Sequence, residues 1–262
     1  MAKRIDSRDN REVKLVCSLA DKKYRDRERL FCFEGAHLLE DYIAAGLMPE
    51  RAYFTDQAAA RYPELFSAVS DNAVCVSEAV YAKMTAERAP QGILTLSKRL
   101  CNIGFGKSDM SGGCLIACSV RDAGNLGTIL RTANAFGINE VVCSADCADV
   151  YGIKTVRASM GALFRQRITV ADDIKNEIIS RKENGVRVFA ATLSDNAHMI
   201  SDGFLLPTDC VMIGNEGQGI SDELVAASSG SVIIPMQQGC ESLNASVAAA
   251  VFMWEMRRAR HE

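Results

Sequence analysis

No apolar run in this sequence of 262 residues approaches the roughly 18 residues that a membrane-spanning helix needs. The stretch that follows Met1 is charged, and it lacks the apolar core of a signal peptide. We therefore expect a cytoplasmic protein that makes no membrane contact. Hydrophobic residues make up 48% of the chain and charged residues 24%, which is ordinary for a globular protein and excludes the disordered, collagen-like and low-complexity classes.

Histidine is scarce, with three residues in the whole chain, so a zinc site has little support. The ten cysteines include the close pairs Cys114/Cys118 and Cys143/Cys147, but no CxxC pair or histidine cluster completes either of them. We predict no metal site. In a chain with no apparent signal peptide, ten cysteines are typical of free thiols in a reducing compartment, because disulfide frameworks belong to small secreted domains.

Two common nucleotide-binding fingerprints are also missing. The sequence contains neither GxxxxGKS nor GxxxxGKT, the two forms of the phosphate loop. Segment 213–220 carries three glycines around Glu216, but Asp222 stands three residues after Gly219, where a dinucleotide fingerprint has its last glycine. These absences argue against a nicotinamide-dependent enzyme.

The net charge of −3 does not by itself favour a nucleic-acid partner, but the charge is unevenly distributed. Residues 1–31 contain ten lysines and arginines against six acids. A basic segment of this kind can follow a phosphate backbone. A solvated helix face with alternating charges also explains the segment, and charge alone favours that explanation.

The pattern up to about residue 100 predicts a small α/β unit, with a helix over 12–24, a strand over 31–34 and a helix over 36–45 that Gly46 ends. The next segment, 103–113, has four glycines and few large apolar residues, which is typical of a linker. We therefore predict a first domain over 1–103, a linker over 104–113 and a second domain over 114–262.

The second domain alternates short buried strands with amphipathic helices, and this alternation predicts a mainly parallel sheet. The predicted strands are 114–120, 141–143, 186–191 and 210–213. The first predicted helix is capped by Asn125 and ended by Gly137. The other predicted helices are 174–182, 222–227 and 245–258.

Ligands of an open parallel sheet bind beyond the carboxyl ends of its strands, so the loops after the predicted strands form the candidate site. Three loops combine small residues with polar side chains: 121–127, which leads into the helix of Arg131, then 213–220 and 234–244. Small residues let a ligand approach the backbone closely, and a helix start offers unpaired N–H groups to an anion. Taken singly, each loop is also explained as a tight turn or a capped helix.

Together, the three loops resemble the signature motifs of the SpoU family of RNA ribose 2′-O-methyltransferases, in the SPOUT superfamily. The matching stretches are, in order, Asn125 through Arg131, Ile213 through Gly219, and Ile234 through Ser246. Segment 157–164 resembles the family's stretch between the first two motifs, and the whole resemblance spans 114–258. The stretches 19–23, 33–35 and Leu38 are similar to the substrate-binding domain that precedes the catalytic domain in many members.

The resemblance implies an α/β fold, with a C-terminal SPOUT-type parallel sheet that contains a trefoil knot and a small α/β RNA-binding domain before it. It implies S-adenosylmethionine as the cofactor, bound by Thr192, Leu193, Gly214, Asn215, Glu216, Gly217, Ile234, Met236, Ser242, Leu243 and Asn244. The implied catalytic residues are Arg131, Asn125, Glu216, Ser242 and Asn244.

In the family, the arginine at the position of Arg131 is proposed to help deprotonate the ribose hydroxyl. Arginine is an unsuitable base, because its side chain has a pKa above about 12. We therefore favour a clamp in which Arg131 binds phosphate and stabilises the developing alkoxide.

We expect an enzyme that methylates a ribose 2′-hydroxyl in structured RNA. Ribosomal RNA is the favoured substrate and transfer RNA the alternative; a non-catalytic RNA-binding or assembly protein of the same fold is the alternative from another class. The resemblance also implies a homodimer, in which the second copy completes each catalytic site. The implied RNA contacts lie in the basic segment, at Lys14, Lys22, Lys23 and Arg25.

Overall fold

The computed structural model describes residues 3–105, 113–194, 196–200, 204–215, 217–237, 239 and 242–258. The chain forms two compact units, of which the first comprises Met1–Leu100 with Tyr151–Phe164 and the second comprises Cys101–Val150 with Arg165–Glu262. None of the helices in the described part of the chain is both long enough and apolar enough to cross a membrane.

The first unit is built around a sheet of five strands, in the order β1-β4-β3-β5-β2. The strands are β1 (Lys3–Ile5), β2 (Leu30–Glu34), β3 (Arg51–Thr55), β4 (Ala73–Val76) and β5 (Ile93–Lys98). The helices are α1 (Arg11–Ser18), α2 (Lys22–Glu28), α3 (Ala36–Ala44), α4 (Asp56–Arg61), α5 (Pro63–Ala68) and α6 (Glu78–Met84). Strand β5 runs antiparallel to both of its neighbours, and the other pairs are parallel.

Polar caps decide where the helices of the basic segment begin. The side chain of Asn10 accepts a hydrogen bond from the Glu12 amide at 2.8 Å and starts α1, and Asp21 accepts one from the Lys23 amide at 2.9 Å and starts α2. The prediction of one helix over 12–24 is therefore wrong, because Asp21 begins a second helix within it. The strand predicted over 31–34 and the helix over 36–45 are confirmed to within one residue at each end.

Strand β2 contributes to two cores, because successive side chains of a strand point to opposite faces of its sheet. Leu30 and Cys32 pack against the cluster that α1 and α6 form with the sheet. Phe31 and Phe33 instead contact aromatic rings of segment 151–164, with ring centroids 4.8 Å apart for Phe31 and Tyr151 and 5.1 Å apart for Phe33 and Phe164. The predicted second domain, 114–262, includes this segment, but its aromatic side chains complete the core of the first unit.

The second unit contains a sheet of eight strands, in the order β11-β13-β10-β12-β7-β8-β9-β6. The strands are β6 (Ile103–Phe105), β7 (Cys114–Ala117), β8 (Glu140–Ser144), β9 (Ile168–Ala171), β10 (Val188–Ala191), β11 (His198–Met199), β12 (Cys210–Ile213) and β13 (Gly230–Ile233). The later helices of the chain are α7 (Ala123–Phe136), α8 (Ile153–Ala158, in segment 151–164), α9 (Ile174–Glu183), α10 (Asp222–Ala227) and α11 (Ala245–Arg258). Every strand pair of this sheet is parallel, so the predicted parallel sheet is confirmed.

The predicted linker, 104–113, overlaps the edge of this sheet. Residues 103–105 form β6, which pairs in parallel with β9, and residues 106–112 lie outside the described residues. Apolar patterning alone did not indicate β6, because a strand of three residues is too short to show a period. The predicted helices of the second domain all form, and Gly137 ends α7 with a φ of 66°.

A buried arginine holds the amino ends of two central strands. Arg181, on α9, is fully buried, and its guanidinium forms ion pairs with Glu140 at 2.8 Å and Glu177 at 2.7 Å. Glu140 begins β8 and also accepts a hydrogen bond from the Thr169 hydroxyl at 2.6 Å. The third guanidinium nitrogen, Nη1, lies 3.4 Å from the sulfur of Cys210, which begins β12. The network therefore ties α9 to the end of the sheet opposite the candidate loops.

Replacing Arg181 by alanine should strongly destabilise the protein. Glu140 and Glu177 would stay buried without their cation, and breaking a buried pair in this way costs about 3–5 kcal/mol. We expect the free energy of unfolding in urea to fall by that amount. Lys175→Ala is the matched control on the same helix, because its ion pair with Glu223 is exposed and should contribute less than about 1 kcal/mol. Equal, small losses for the two variants would show that the buried network does not stabilise the fold.

Candidate functional site

The first loop, predicted over 121–127, follows β7 and extends in the structure over 118–125, of which residues 123–125 belong to the first turn of α7. Asp122 caps α7 by accepting a hydrogen bond from the Asn125 amide at 2.8 Å, so the prediction that Asn125 caps this helix is wrong. Asn125 instead lies in the first turn, where its side-chain oxygen accepts a hydrogen bond from the Asn244 amide group at 3.0 Å. The structure therefore brings together two residues that lie 119 positions apart in the sequence.

The second loop, 214–219, follows β12 and folds back tightly on itself. Asn215 and Gly219 exchange two backbone hydrogen bonds, of 3.1 and 2.8 Å, and the Asn215 side chain accepts from the Gly217 amide at 2.9 Å. A Cβ atom at Gly214 would overlap the Gly219 backbone and lie 2.7 Å from the Ile220 nitrogen. Only glycine fits at residue 214 without displacing this turn. Glu216, predicted to be both catalytic and cofactor-binding, lies outside the described residues.

The first and second loops are joined by a side chain. The Asn215 amide group donates a hydrogen bond of 2.9 Å to the carbonyl oxygen of Ser119. The Cys118 amide donates one of 2.8 Å to the carbonyl oxygen of Ile213, which continues the pairing of β7 with β12 into the loops. The two loops are thus held at the same edge of the sheet.

The third loop ends at Asn244, which caps α11. Its side-chain oxygen accepts hydrogen bonds from the Ser246 amide at 2.9 Å and the Ser246 hydroxyl at 2.7 Å. Its amide group makes the contact with Asn125. Asn244 therefore starts the last helix and fixes the first loop at the same time.

A cavity of 270 Å³ opens between the strand ends and α11. Eight of the predicted cofactor-binding residues line it: Thr192, Leu193, Gly214, Asn215, Ile234, Met236, Ser242 and Leu243. Gly217 and Asn244 are not among the residues that line the cavity. Eight further lining residues were not predicted as cofactor-binding: Ala191, Ile213, Gly219, Val232, Ile233, Ala245, Ala248 and Phe252. For Ala245, Ala248 and Phe252 a signal existed, because they share one face of α11 at helical spacing.

A smaller recess of 100 Å³ shares Gly214, Asn215 and Ala245 with the larger cavity, so the two hollows adjoin. Its other lining residues are Val120, Arg121, Asp122 and Asn125, all from the first loop and the start of α7. Of these, only Asn125 is among the predicted catalytic residues. The arrangement offers an apolar cavity for one ligand and a polar recess beside it for a second.

Arg131 lies apart from both hollows. It is exposed on α7, lines neither the cavity nor the recess, and forms no hydrogen bond or ion pair within the described part of the chain. The structure therefore brings Asn125, Ser242 and Asn244 together and leaves Arg131 facing solvent.

The predicted RNA contacts divide into two groups. Lys14, Lys22 and Lys23 are exposed on α1 and α2. Arg25 is buried, and its guanidinium donates hydrogen bonds to the carbonyl oxygens of Leu19 at 2.5 Å and Ala20 at 2.8 Å. The prediction that Arg25 contacts RNA is corrected on this ground, because the side chain stabilises the turn between α1 and α2.

The thiols near the first loop differ in their acidity. Burial raises the pKa of Cys118 to about 12. A hydrogen bond from the Cys143 thiol lowers the pKa of Cys147 to about 7, against the effect of burial.

Among the described residues, no group of three or more histidines, cysteines and acids has the arrangement to hold a metal ion.

The sequence matches two known families. The SpoU rRNA Methylase family matches residues 113–254, and the MRM3-like substrate binding domain matches residues 10–95. The chain is 30% identical, over 261 residues, to the 23S rRNA (guanosine(2553)-2'-O)-methyltransferase RlmP of Bacillus subtilis, with 97% of this chain and 99% of that protein covered.

Two solved structures have the same fold along almost the whole chain. An AdoMet-bound rRNA methyltransferase from Sinorhizobium meliloti is 25% identical, with a TM-score of 0.82 and 98% of each chain covered. An RNA 2'-O ribose methyltransferase is 29% identical, with a TM-score of 0.81, 99% of this chain covered and 100% of the other. Because the family match includes more than half of the residues and carries all three loops, the chain belongs to the SpoU rRNA Methylase family.

Proposed function

We propose that this protein transfers a methyl group from S-adenosylmethionine to a ribose 2′-hydroxyl of ribosomal RNA. The observation that carries the proposal is the pair of adjoining hollows, which share Gly214, Asn215 and Ala245. An apolar cavity for the cofactor and a polar recess for the acceptor ribose would meet at these three residues. The named activity of the Bacillus subtilis relative, on 23S rRNA, supports ribosomal RNA as the substrate.

The lining residues fit S-adenosylmethionine. The cavity walls are mainly apolar, from Ile213, Ile234, Met236, Leu243 and Phe252, and Gly214 and Gly219 bring main chain without side chains to the lining. Backbone groups can hold an adenine edge while the apolar walls pack on its faces. When bound, S-adenosylmethionine would supply an electrophilic methyl group to the ribose oxygen and would leave as the neutral thioether when its S–C bond breaks, with the hydroxyl proton released to water.

The residues of the chain act mainly by orientation. Holding two reactants in line can supply a large part of a rate enhancement, about 7–11 kcal/mol in the best intramolecular cases. The contact between Asn125 and Asn244 holds Asn125, which lines the recess, next to the start of α11, whose first residue, Ala245, lines both hollows. Ser242 and Asn244 orient the cofactor and the ribose, and Glu216 stays in the proposed set. Arg131 binds phosphate and stabilises the negative charge that develops on the ribose oxygen.

Arg131 can reach a reacting ribose if two copies of the chain associate through α7 and α11. These two helices pack together. Their shared surface carries two exposed apolar side chains, Val247 at 48% exposure and Trp254 at 52%. The ring centroid of Trp254 lies 5.7 Å from that of Phe136 on α7. Exposed apolar side chains on one face are typical of a protein–protein interface. We infer a homodimer in which Arg131 of each copy completes the site of the other.

The first unit binds the RNA through the exposed lysines of α1 and α2. Lys14, Lys22 and Lys23 supply positive charge that a phosphate backbone attracts. The match of residues 10–95 to a substrate-binding domain supports this role. The cytoplasmic location remains part of the same proposal.

Arg131→Ala should abolish most of the methyl transfer. We expect labelled methyl to enter unmodified ribosomal RNA, and the methylated nucleotide to resist alkaline cleavage. In single-turnover assays with saturating cofactor, the variant should be about 100- to 1,000-fold slower, because a stabiliser of the developing charge is lost. Arg131→Lys keeps the charge without the planar guanidinium and should be intermediate. A rate near wild type for Arg131→Lys would reject a specific role for the guanidinium, and label entering only transfer RNA would reassign the substrate.

Gly214→Ala should weaken cofactor binding by at least about tenfold, because the new methyl group overlaps the Gly219 backbone and displaces a wall of the cavity. Calorimetric titration with S-adenosylmethionine measures this. Gly217 was predicted to bind the cofactor but does not line the cavity, so Gly217→Ala is the control in the same loop: its new methyl group would lie 3.5 Å from the Asn215 side-chain oxygen and should change the affinity little. Equal affinities for wild type and Gly214→Ala would place the cofactor elsewhere.

Two impaired variants should restore activity when they are mixed, at a cofactor concentration that fills the wild-type cavity but not the cavity of Gly214→Ala. In a mixed dimer of Arg131→Ala and Gly214→Ala, one site has both an intact cavity and an intact arginine from the other copy. Random exchange of equal amounts should return about a quarter of the wild-type activity.

The mixing experiment has its own control. Trp254→Glu, introduced into both variants, places charge in the apolar contact and should prevent both dimer formation and recovery, whereas Met48→Glu, at an exposed position of the first unit, should not. Mixed dimers that form, as seen by native mass spectrometry, but recover no activity would show that each chain supplies its own arginine.

A further inference from the structure

The loop that follows β8 carries a carboxylate, Asp146, that contacts two residues of the first loop. Asp146 accepts a hydrogen bond from the Ser119 hydroxyl at 2.7 Å and one from the Ser144 hydroxyl at 2.6 Å. Its second contact with the first loop is an ion pair with the Arg121 guanidinium at 3.2 Å. All four of these residues lie outside the three motif stretches, although Arg121 begins the predicted loop 121–127.

Ser119 adopts a backbone conformation that L-residues seldom take, with a φ of 54°. Two contacts hold it there: its amide donates to the Ser144 hydroxyl at 2.8 Å, and its own hydroxyl donates to Asp146. The carbonyl oxygen of Ser119 accepts the hydrogen bond from Asn215 at 2.9 Å. Asp146 is thereby connected, through one strained residue, to the loop that lines the cofactor cavity.

Arg121 connects the same carboxylate to the acceptor recess. Its side chain is 64% exposed and lines the recess beside Asp122 and Asn125. One nitrogen of the Arg121 guanidinium contacts Asp146, and this contact orients the group. The rest of the guanidinium stays accessible to solvent. A planar guanidinium of this kind is suited to a phosphate oxygen pair.

We infer that Asp146 is a positioning residue for methyl transfer, which holds Arg121 to bind a phosphate next to the acceptor ribose and holds Ser119 to orient Asn215. This inference rests on the proposed function. The hydrogen bonds from Ser144 and Ser119 keep the pKa of the Asp146 carboxyl below its usual range, so this side chain stays ionised at neutral pH.

If Asp146 only stabilised the fold, its removal would change the unfolding midpoint and not catalysis. The Asp146 side chain is 47% exposed, and an exposed ion pair contributes little to folding. Removing the carboxylate should therefore change catalysis much more than the unfolding midpoint. Asp172, an exposed carboxylate directly after β9, provides a matched control because it makes no hydrogen bond or ion pair with the described residues.

The test compares Asp146→Ala, Asp146→Asn and Asp172→Asn in the methyl-transfer assay with ribosomal RNA. Asp146→Ala should lower kcat/KM for RNA by about 10- to 100-fold, the range expected for a misplaced substrate, and should also weaken cofactor binding. Asp146→Asn keeps an oxygen for Ser119 but loses the charge that holds Arg121. It should raise KM for RNA while cofactor affinity stays near wild type. Asp172→Asn should behave as wild type.

A double variant tests whether Asp146 acts through Arg121. Arg121→Ala should raise KM for RNA without affecting cofactor affinity, and adding Arg121→Ala to Asp146→Asn should cause no further rise. Additive losses, or an Asp146→Ala enzyme with wild-type kinetics, would overturn the inference while the proposed function stands. If wild type and Asp172→Asn both fail to transfer methyl to any RNA, the proposed function fails and the inference fails with it.

Discussion

The parallel pairing of β7 with β12 is the constraint on which the candidate site depends. The two strands are in register from Cys114 opposite Cys210 to Ala117 opposite Ile213, so both end at the same level. The chain then continues the pairing into the loops, through the contact of Asn215 with Ser119. At the other end of the strands, the buried ion pairs of Arg181 hold α9 against β8. A shift of this register by one residue would separate the loops that form both hollows.

Polar residues in the loops make contacts both within their own segment and with a second segment. Asn244 caps α11 and contacts Asn125, so the last helix cannot form in place without also fixing the first loop. Asn215 closes its own turn with its side-chain oxygen and reaches Ser119 with its amide group. Folding of these segments therefore organises the site before a ligand arrives, which reduces the entropy that binding must overcome.

Periodicity predicted most helices and strands, because it reports which face of an element is apolar. It does not report which core that face joins, and segment 151–164 was accordingly grouped with the second domain although Tyr151 and Phe164 pack in the first unit. Arg25 looked like a surface cation, because its buried carbonyl partners appear only in the fold. The loops that line the cavity followed from the sheet rule for parallel strands. The contacts of Asp146 with the first loop could not be predicted by that rule, because they join residues that lie 27 positions apart in the sequence.

The position of Arg131 explains why one chain forms only part of the proposed site. Six residues separate it from Asn125, which at about 100° per residue places the two side chains roughly 120° apart around α7. Asn125 faces the recess of its own chain, and Arg131 therefore faces away from it, on a helix that packs against the apolar surface of α11. In the proposed dimer, one helix serves two sites, with its first turn in one and its third turn in the other. The association of two copies then becomes a condition for catalysis, and the exposed Trp254 becomes part of the interface that sets the geometry.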